Sequence, residues 1–151
     1  MPPKQPSIKG RGTADKIDGR FNTHQRELVE DGWFQEPEIL PKTTVEIEHP
    51  KTIITRNQSP DLPFSQSINA YRGCEHGCIY CYARPSHAYL GLSPGLDFET
   101  RLTAKPDAAS LLKKELAAKN YQCSPISLGA NTDPYQPIER EYQITRQILQ
   151  V

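Results

Sequence analysis

Three closely spaced cysteines constrain this chain more than any other feature of its sequence. Cys74, Cys78 and Cys81 form a CxxxCxxC pattern within eight residues, whereas the cysteines of a disulfide framework are spread along a chain. Thiolates this close together converge on one small inorganic centre. The flanking Gly73 and Gly77 let the backbone wrap tightly around it. The spacing therefore predicts a metal-binding loop in a reducing, cytoplasmic compartment.

The number of thiolates separates the candidate metal centres. Four would saturate a four-iron cubane for electron transfer, whereas three leave one iron open to a substrate or cosubstrate. Zinc remains an alternative, with His76 or His87 as the fourth ligand of a zinc-stabilised, non-catalytic binding module. A ferredoxin would need another cysteine close by, but Cys123 follows Cys81 only after 42 positions. Cys123 is interpreted as a buried or incidental thiol.

The sequence around the cysteines predicts a first strand, loop and helix. Residues 67–71 have a strand pattern that leads directly into the cysteine loop, so the cysteines follow the carboxyl end of a strand. Asp107 is expected to cap a helix with apolar residues at every fourth position, and Asn120 is expected to end it. The periodic apolar residues of this helix are Ala108, Leu112 and Leu116.

A second unit of the same kind follows. Residues 125–129 predict another short strand, residues 130–135 a polar loop, and a helix then carries Ile144, Ile148 and Val151 on one face. Alternating strands and helices indicate an α/β fold with a parallel sheet, in which both polar loops lie at the carboxyl ends of the strands. Two such units do not close a barrel, and the pattern stops in mid-helix. A truncated chain, or one whose sheet edge needs a partner, is therefore expected.

The region before the first unit is predicted to be a largely irregular extension, residues 1–62, ahead of a domain at 63–151. The chain contains 14 prolines and only 36% apolar residues, and much of the proline falls in this extension, where it interrupts helices and inner strands. Residues 1–25 are expected to be a flexible arm, whereas residues 43–55 suggest short extended pieces. No apolar stretch is long enough to span a membrane.

Charge does not favour a polyanionic partner for the chain as a whole, since 18 basic residues balance 18 acidic ones. The balance is uneven along the sequence, because residues 1–26 are mainly basic and residues 27–50 mainly acidic. Two interpretations stay open: ordinary solvated surface, or a basic arm that binds a polyanion such as nucleic acid.

Longer stretches of the sequence resemble a known superfamily. The pattern CxxxCxxC after a first strand, with aromatic Tyr80 directly before the third cysteine, resembles the signature of radical S-adenosylmethionine (SAM) enzymes. The wider stretches SINAYRGCEHGCIYCYARPSHAYLGLSPGLDFETRL and LGANTDPYQPIEREYQITRQIL are similar to the subgroup related to spore photoproduct lyase, also called DNA repair photolyase-like. This resemblance covers roughly residues 63–151.

The resemblance implies a fold, cofactors and roles for individual residues. The fold would be the start of a partial (β/α) barrel, its first two βα units. Cys74, Cys78 and Cys81 would hold a [4Fe-4S] cluster whose fourth iron binds SAM, and Tyr80 would contact the SAM adenine. With an electron from an external donor, SAM would yield a 5′-deoxyadenosyl radical that takes hydrogen from a substrate of unknown identity.

The chain departs from the superfamily at the end of the second strand. Where many members have a glycine-rich acidic motif that receives the amino group of SAM, this chain has Asn131, Thr132 and Asp133. A carboxylate or exposed carbonyl groups accept hydrogen bonds from an ammonium group equally well. The alternative is that Asp133 and Pro134 simply form a turn. Direct roles for Arg84, His87 and Tyr89, or for Glu139 and Arg140, have less support, because loop packing and helix starts commonly use such residues.

Overall fold

The computed structural model of the chain describes residues 11–13, 17–24 and 42–151. Most of the predicted basic arm and of the acidic segment lies outside the described residues. The described part is a mixed α/β structure with two small sheets and short helices. The strands are β1 Thr44–Ile47, β2 Thr55–Arg56, β3 Gln66–Ile68, β4 Tyr71–Arg72, β5 Arg101–Ala104 and β6 Ile126–Leu128.

The helices are short and follow the strands. A 3-10 helix at Arg84–Leu90 comes after the cysteine loop, and the α-helices are α1 Leu96–Thr100, α2 Ala108–Leu116, α3 Glu139–Tyr142 and α4 Ile144–Leu149. None of the helices in the described ranges combines the length and the apolar character that a transmembrane span requires.

One sheet has the order β2-β3-β6 and contains the predicted parallel pair. Strand β3 runs parallel to β6 with Ser67 opposite Ser127, and antiparallel to β2. Parallel neighbours are therefore present at the two predicted positions, residues 67–71 and 125–129, as the alternating pattern predicted. Their carboxyl ends meet at one edge, because the chains of a parallel pair run in the same direction.

The other sheet has the order β1-β5-β4, with β1 parallel and β4 antiparallel to β5. The single strand predicted at residues 67–71 is wrong in this respect: the chain leaves the first sheet after Ile68 and enters the second at Tyr71. The Ala70 carbonyl accepts a hydrogen bond from Lys105 N at 3.1 Å at this crossing. No barrel is present in the described part of the chain, so the structure supports the α/β class but not the finer architecture.

The core lies between the sheets and helices α2 and α4. Ile68, Leu102, Leu112, Ile144 and Ile148 are all buried in one apolar cluster. The fourfold spacing in the sequence predicted Leu112, Ile144 and Ile148 for this cluster, since residues four apart share one face of a helix. Burial of each such side chain stabilises the fold by about 1.5–3 kcal/mol before entropy is counted.

Helix boundaries differ from the predicted ones in three places. Helix α2 ends at Leu116 instead of Asn120, and the Asp107 side chain does not cap it but bonds His49 Nδ1 through Oδ2 at 2.5 Å. The last helix is divided at Gln143, which has a left-handed φ of 51°. Val151 lies beyond α4 and its side chain is exposed, so it does not share the face of Ile144.

Candidate cluster and cofactor site

The cysteine loop, residues 73–82, begins where β4 ends. Cys74 is buried, Cys81 is half-buried and Cys78 is exposed. Hydrogen bonds from Cys74 N to Phe98 O at 2.9 Å and from Cys81 N to Cys78 O at 3.2 Å fix the loop backbone. The loop is thus tied at its start to helix α1 and closed near its end by a tight turn.

The two glycines of the loop adopt the conformations that only glycine tolerates well. Gly73 and Gly77 have φ of 73° and 64°, in the left-handed region that costs other residues about 1–2 kcal/mol. A Cβ on Gly73 would lie 2.7 Å from Leu102 Cδ2, and one on Gly77 would lie 2.9 Å from Glu99 Oε2. The positive φ and the close packing therefore leave no room for a side chain at either glycine.

Cys74 has an environment with opposing effects on its thiol. Burial raises the pKa of the Cys74 thiol, whereas hydrogen bonds from the backbone of His76 and Asp133 lower that pKa by favouring the thiolate. The first donor belongs to the cysteine loop and the second to the loop after β6, the Asn131–Asp133 loop. The sulfur of Cys74 therefore lies where the two predicted loops meet.

Several further contacts join these two loops. His76 Nε2 lies 3.3 Å from Asp133 Oδ2, Thr132 Oγ1 donates to Tyr71 O at 3.3 Å, and the Tyr82 hydroxyl donates to Ala130 O. The structure thus brings the sequence-predicted Asn131–Asp133 loop to the predicted cysteine loop, across about 50–60 positions of sequence.

Gln136 connects the chain after β6 to the cysteine loop through its buried amide, a role that no sequence pattern predicted. Its side chain is 1% exposed. Nε2 donates to Gly73 O at 3.1 Å, and Oε1 accepts from Glu75 N at 3.3 Å. A buried amide that satisfies one donor and one acceptor holds both backbone groups in place. No local pattern singles out this glutamine, because its partners lie about 60 positions earlier.

The predicted SAM-contact residues differ in the exposure and the hydrogen bonding of their side chains. Tyr80 is 87% exposed, and the Asn131 side chain is exposed while its backbone N–H donates to Asn69 Oδ1 at 2.8 Å. Thr132 is buried with its hydroxyl on Tyr71 O. Asp133 does form the turn considered as an alternative, since Oδ1 accepts from Tyr135 N at 2.8 Å. Its second oxygen faces His76.

A buried ion pair between Arg84 and Glu99 stabilises the backbone of the cysteine loop. Arg84 Nη2 lies 2.5 Å from Glu99 Oε1, and the same guanidinium donates through Nε to Cys78 O at 2.9 Å and through Nη1 to Gly95 O at 3.0 Å. Arg84 therefore acts in packing the loop, the alternative that the sequence favoured. Glu99 was missed, because nothing in its short helix marks it as buried.

Residues 11–13 complete this network. Gly12 N donates to Glu99 Oε2 at 3.0 Å, and Arg11 donates to Glu99 O at 3.0 Å and to Thr43 Oγ1 at 2.8 Å. A Cβ on Gly12 would lie 1.6 Å from Gly77 O. The predicted flexible arm is wrong for these residues, because they pack directly against the cysteine loop.

The remaining candidates lie at the margin of the site. His87 is 1% exposed, its Nε2 lies 2.9 Å from Arg101 O, and Nδ1 has no hydrogen-bond partner within the described ranges. Burial lowers the pKa of His87. Tyr89 is exposed, and its ring packs against Phe21 in a tilted arrangement with centroids 4.9 Å apart. Cys123 is exposed rather than buried.

Within residues 11–13, 17–24 and 42–151, no three His, Cys, Asp or Glu side chains are already arranged as ligands of one metal ion.

Comparison with known proteins provides relatives without a described activity. No protein-family model and no solved structure matches the chain. Uncharacterized proteins of Mycobacterium tuberculosis and Mycobacterium bovis are 44% identical to it over 88 residues, which are 58% of this chain and 26% of each relative. An uncharacterized protein of Methanocaldococcus jannaschii is 32% identical over 83 residues, 54% of this chain and 29% of the relative. The chain spans less than a third of these relatives.

Proposed function

We propose that this chain forms the cofactor-binding part of a radical SAM enzyme of the spore photoproduct lyase-like type. The observation that carries the proposal is the meeting of the cysteine loop, which follows β4, with the loop that leaves the carboxyl end of β6 beside its parallel neighbour β3. The Cys74 sulfur lies between the two loops. Ligand sites of α/β folds gather at that edge of the sheet. One loop offers three thiols, and the other offers polar groups suited to the amino acid part of SAM.

The residues present fit a [4Fe-4S] cluster. The left-handed Gly73 and Gly77 leave room for backbone N–H groups to approach the cluster. The backbone of His76 and of Asp133 is close enough to the Cys74 sulfur to favour its thiolate and lower its pKa, against the larger effect of burial. Cys74, Cys78 and Cys81 would each bind one iron, three of the four in the cluster, since thiolate ligation is general for such clusters. When bound, the cluster and SAM would supply a 5′-deoxyadenosyl radical that takes hydrogen from a substrate.

The chain's own residues would bind and orient SAM. Tyr80 has its ring exposed for contact with the adenine. Asp133 Oδ1 holds the turn, and Oδ2, which lies 3.3 Å from His76 Nε2, would accept a further hydrogen bond from an ammonium group. Thr132 would act by holding the loop on Tyr71 O, because its hydroxyl is already used. Asn131 would offer its exposed amide to the polar end of SAM. The Arg84–Glu99 pair would position the backbone of Cys78 without touching either cofactor.

The finer fold proposed is the start of a (β/α) barrel. Strand β6 has a neighbour on one side only within the described residues, so its free edge is available for a further parallel strand. The relatives are more than three times as long as the matched segment, which covers 26% to 29% of their lengths. The complete barrel, the substrate site and the contact with an electron donor would involve such additional chain. A nucleic acid substrate stays a proposal by resemblance.

The experiment is anaerobic reconstitution with iron and sulfide, followed by metal analysis and EPR of the reduced protein with and without SAM. About four irons per chain and a spectrum changed by SAM are expected. Cys78→Ala should abolish cluster assembly, whereas the matched control Cys123→Ala should leave it intact, because that exposed thiol is not among the three predicted ligands. Stoichiometric zinc without iron, or equal loss of iron in both variants, would contradict the proposal.

A further inference from the structure

A pocket of about 470 Å³ opens beside the cysteine loop. His76 lines one side, and the chain from Tyr135 to Arg146 lines the other. The volume lies within the range of about 300–1,000 Å³ usual for small-molecule sites. Since His76 belongs to the cysteine loop and contacts Asp133, a molecule in this pocket would lie next to the candidate cluster site.

Among the described residues, the one carboxylate that lines this pocket already accepts hydrogen bonds from the protein. Glu139 Oε2 accepts hydrogen bonds from the Tyr71 hydroxyl and from Thr145 N, and Oε1 accepts from Arg146 N at 3.0 Å. Tyr71 is held protonated as the donor, because burial and the neighbouring Glu139 raise the pKa of its hydroxyl. Both carboxylate oxygens of Glu139 are thus occupied by hydrogen-bond donors of the protein itself.

Two arginines of the pocket have no such partners among the residues that the structure describes. Arg140 and Arg146 both line the cavity, and in the described part of the chain neither guanidinium takes part in an ion pair or a side-chain hydrogen bond. Both side chains are exposed. The pocket therefore has an excess of positive charge and unused N–H donors, although the chain as a whole has a net charge of +0.

The local backbone holds the two arginines around the same opening. Gln143 lies between α3 and α4 in the left-handed region at φ 51° and also lines the pocket. This bend turns the chain so that residues 140 and 146, six positions apart, face one cavity. A non-glycine residue costs about 1–2 kcal/mol in that region, and such strain persists where surrounding contacts enforce it.

Phosphate monoesters match this arrangement better than carboxylates do. One guanidinium fork satisfies the two oxygens of a carboxylate, whereas a monoester offers three terminal oxygens and close to two negative charges, enough for two forks. Tyr135, which is 68% exposed, and Pro137 provide an apolar wall for the body of the ester. The ligand expected is a phosphate monoester with a planar or apolar body.

We propose that Arg140 and Arg146 form a phosphomonoester-binding site in the pocket beside His76. The phosphate could belong to a free small ester or to the terminal phosphate of a strand, and the two sources share the same chemistry. That the ester is the substrate of the enzyme rests on the proposed function. Phosphate binding itself does not, because none of the pocket's cationic residues is a predicted cluster ligand.

The test is a titration of the iron-free protein at low ionic strength, in which the NMR signals of the arginine side chains report binding. The probes are phenyl phosphate, phenol, and one short single-stranded oligonucleotide with and without a 5′-phosphate. Arg140→Ala and Arg146→Ala should each weaken phenyl phosphate binding about tenfold or more, the loss expected when a charged hydrogen-bonding partner is removed. Arg56→Ala, at an exposed arginine of β2, is the control and should bind normally.

The outcomes distinguish a free ester from a strand terminus, and they test phosphate binding separately from cluster binding. Phenyl phosphate binding as tightly as the phosphorylated oligonucleotide assigns a free ester. Binding of the phosphorylated oligonucleotide that is tighter than that of both phenyl phosphate and the unphosphorylated form assigns a strand terminus. No binding of any phosphorylated probe, equal binding of phenol, or equal loss in Arg56→Ala would overturn the site. Because no iron is present, none of these results depends on whether a cluster assembles.

Discussion

Arg84 and Glu99 form an ion pair under the cysteine loop, with Nη2 and Oε1 2.5 Å apart and side chains that are 9% and 0% exposed. The pair connects three segments, because Arg84 holds the Cys78 carbonyl and Glu99 holds the Gly12 amide. Loss of either charge would leave the other buried without compensation. The cysteine loop and residues 11–13 therefore depend on the same pair.

Glu99→Gln should lower the free energy of unfolding by about 3–5 kcal/mol, the cost of leaving a buried partner charge uncompensated. Urea denaturation followed by circular dichroism measures this value. Glu46→Gln breaks the exposed pair with Arg101, whose atoms are 3.5 Å apart, and should cost no more than about 1 kcal/mol. Similar losses in the two variants would show that burial of the Arg84–Glu99 pair is unimportant.

Gly77→Ala should destabilise the protein more than Gly91→Ala. Both glycines have positive φ, 64° and 70°, but a Cβ on Gly77 would lie 2.9 Å from Glu99 Oε2, whereas Gly91 has open space. Both variants incur about 1–2 kcal/mol of backbone strain, and Gly77→Ala adds about 1–3 kcal/mol of steric overlap. Thermal unfolding of the two variants measures the difference, and equal melting temperatures would refute the close contact.

Gln136→Met should weaken the junction between the two loops. The change keeps the length of the side chain but removes the partners of Gly73 O and Glu75 N, and each unsatisfied buried group costs about 1–3 kcal/mol. Amide hydrogen exchange should increase at residues 73–75. The exposed Gln150→Met serves as the control, and unchanged exchange in Gln136→Met would argue against the bridging role.

Stability should fall on mild acidification because of His87. Burial lowers its folded-state pKa below the ordinary 6.5, so the unfolded chain binds this proton more tightly. The contribution is complete above the unfolded pKa and is lost as the pH falls from there through the lower folded-state pKa. Unfolding free energies measured across this range should show the slope.

His87→Phe should remove that slope even if it lowers the stability overall, since the Arg101 carbonyl loses its partner. The exposed His24→Gln should retain it. A slope of the same size in His87→Phe would assign the dependence to another group.

The sequence by itself determined the local features of this protein. Alternation and fourfold spacing located β1, β6, α2 and the buried Ile144 and Ile148, because such patterns reflect which side of one element is apolar. The cysteine spacing and its two glycines located the candidate site, and the order of strands and loops predicted that the Asn131–Asp133 loop would join it. The elements and the cysteine loop need only neighbouring residues for their prediction. The joining of the two loops needs in addition the rule that parallel strands end at one edge of a sheet.

The tertiary structure alone decided which distant residues complete the site. The division of residues 67–71 between two sheets, the pair of Arg84 with Glu99, the Gln136 bridge and the contact of Gly12 with the cysteine loop all join segments that are separated in sequence. Their partners are selected by packing and by the need to satisfy buried polar groups. Hydrophobic periodicity carries no information about such pairings, because it describes one element at a time.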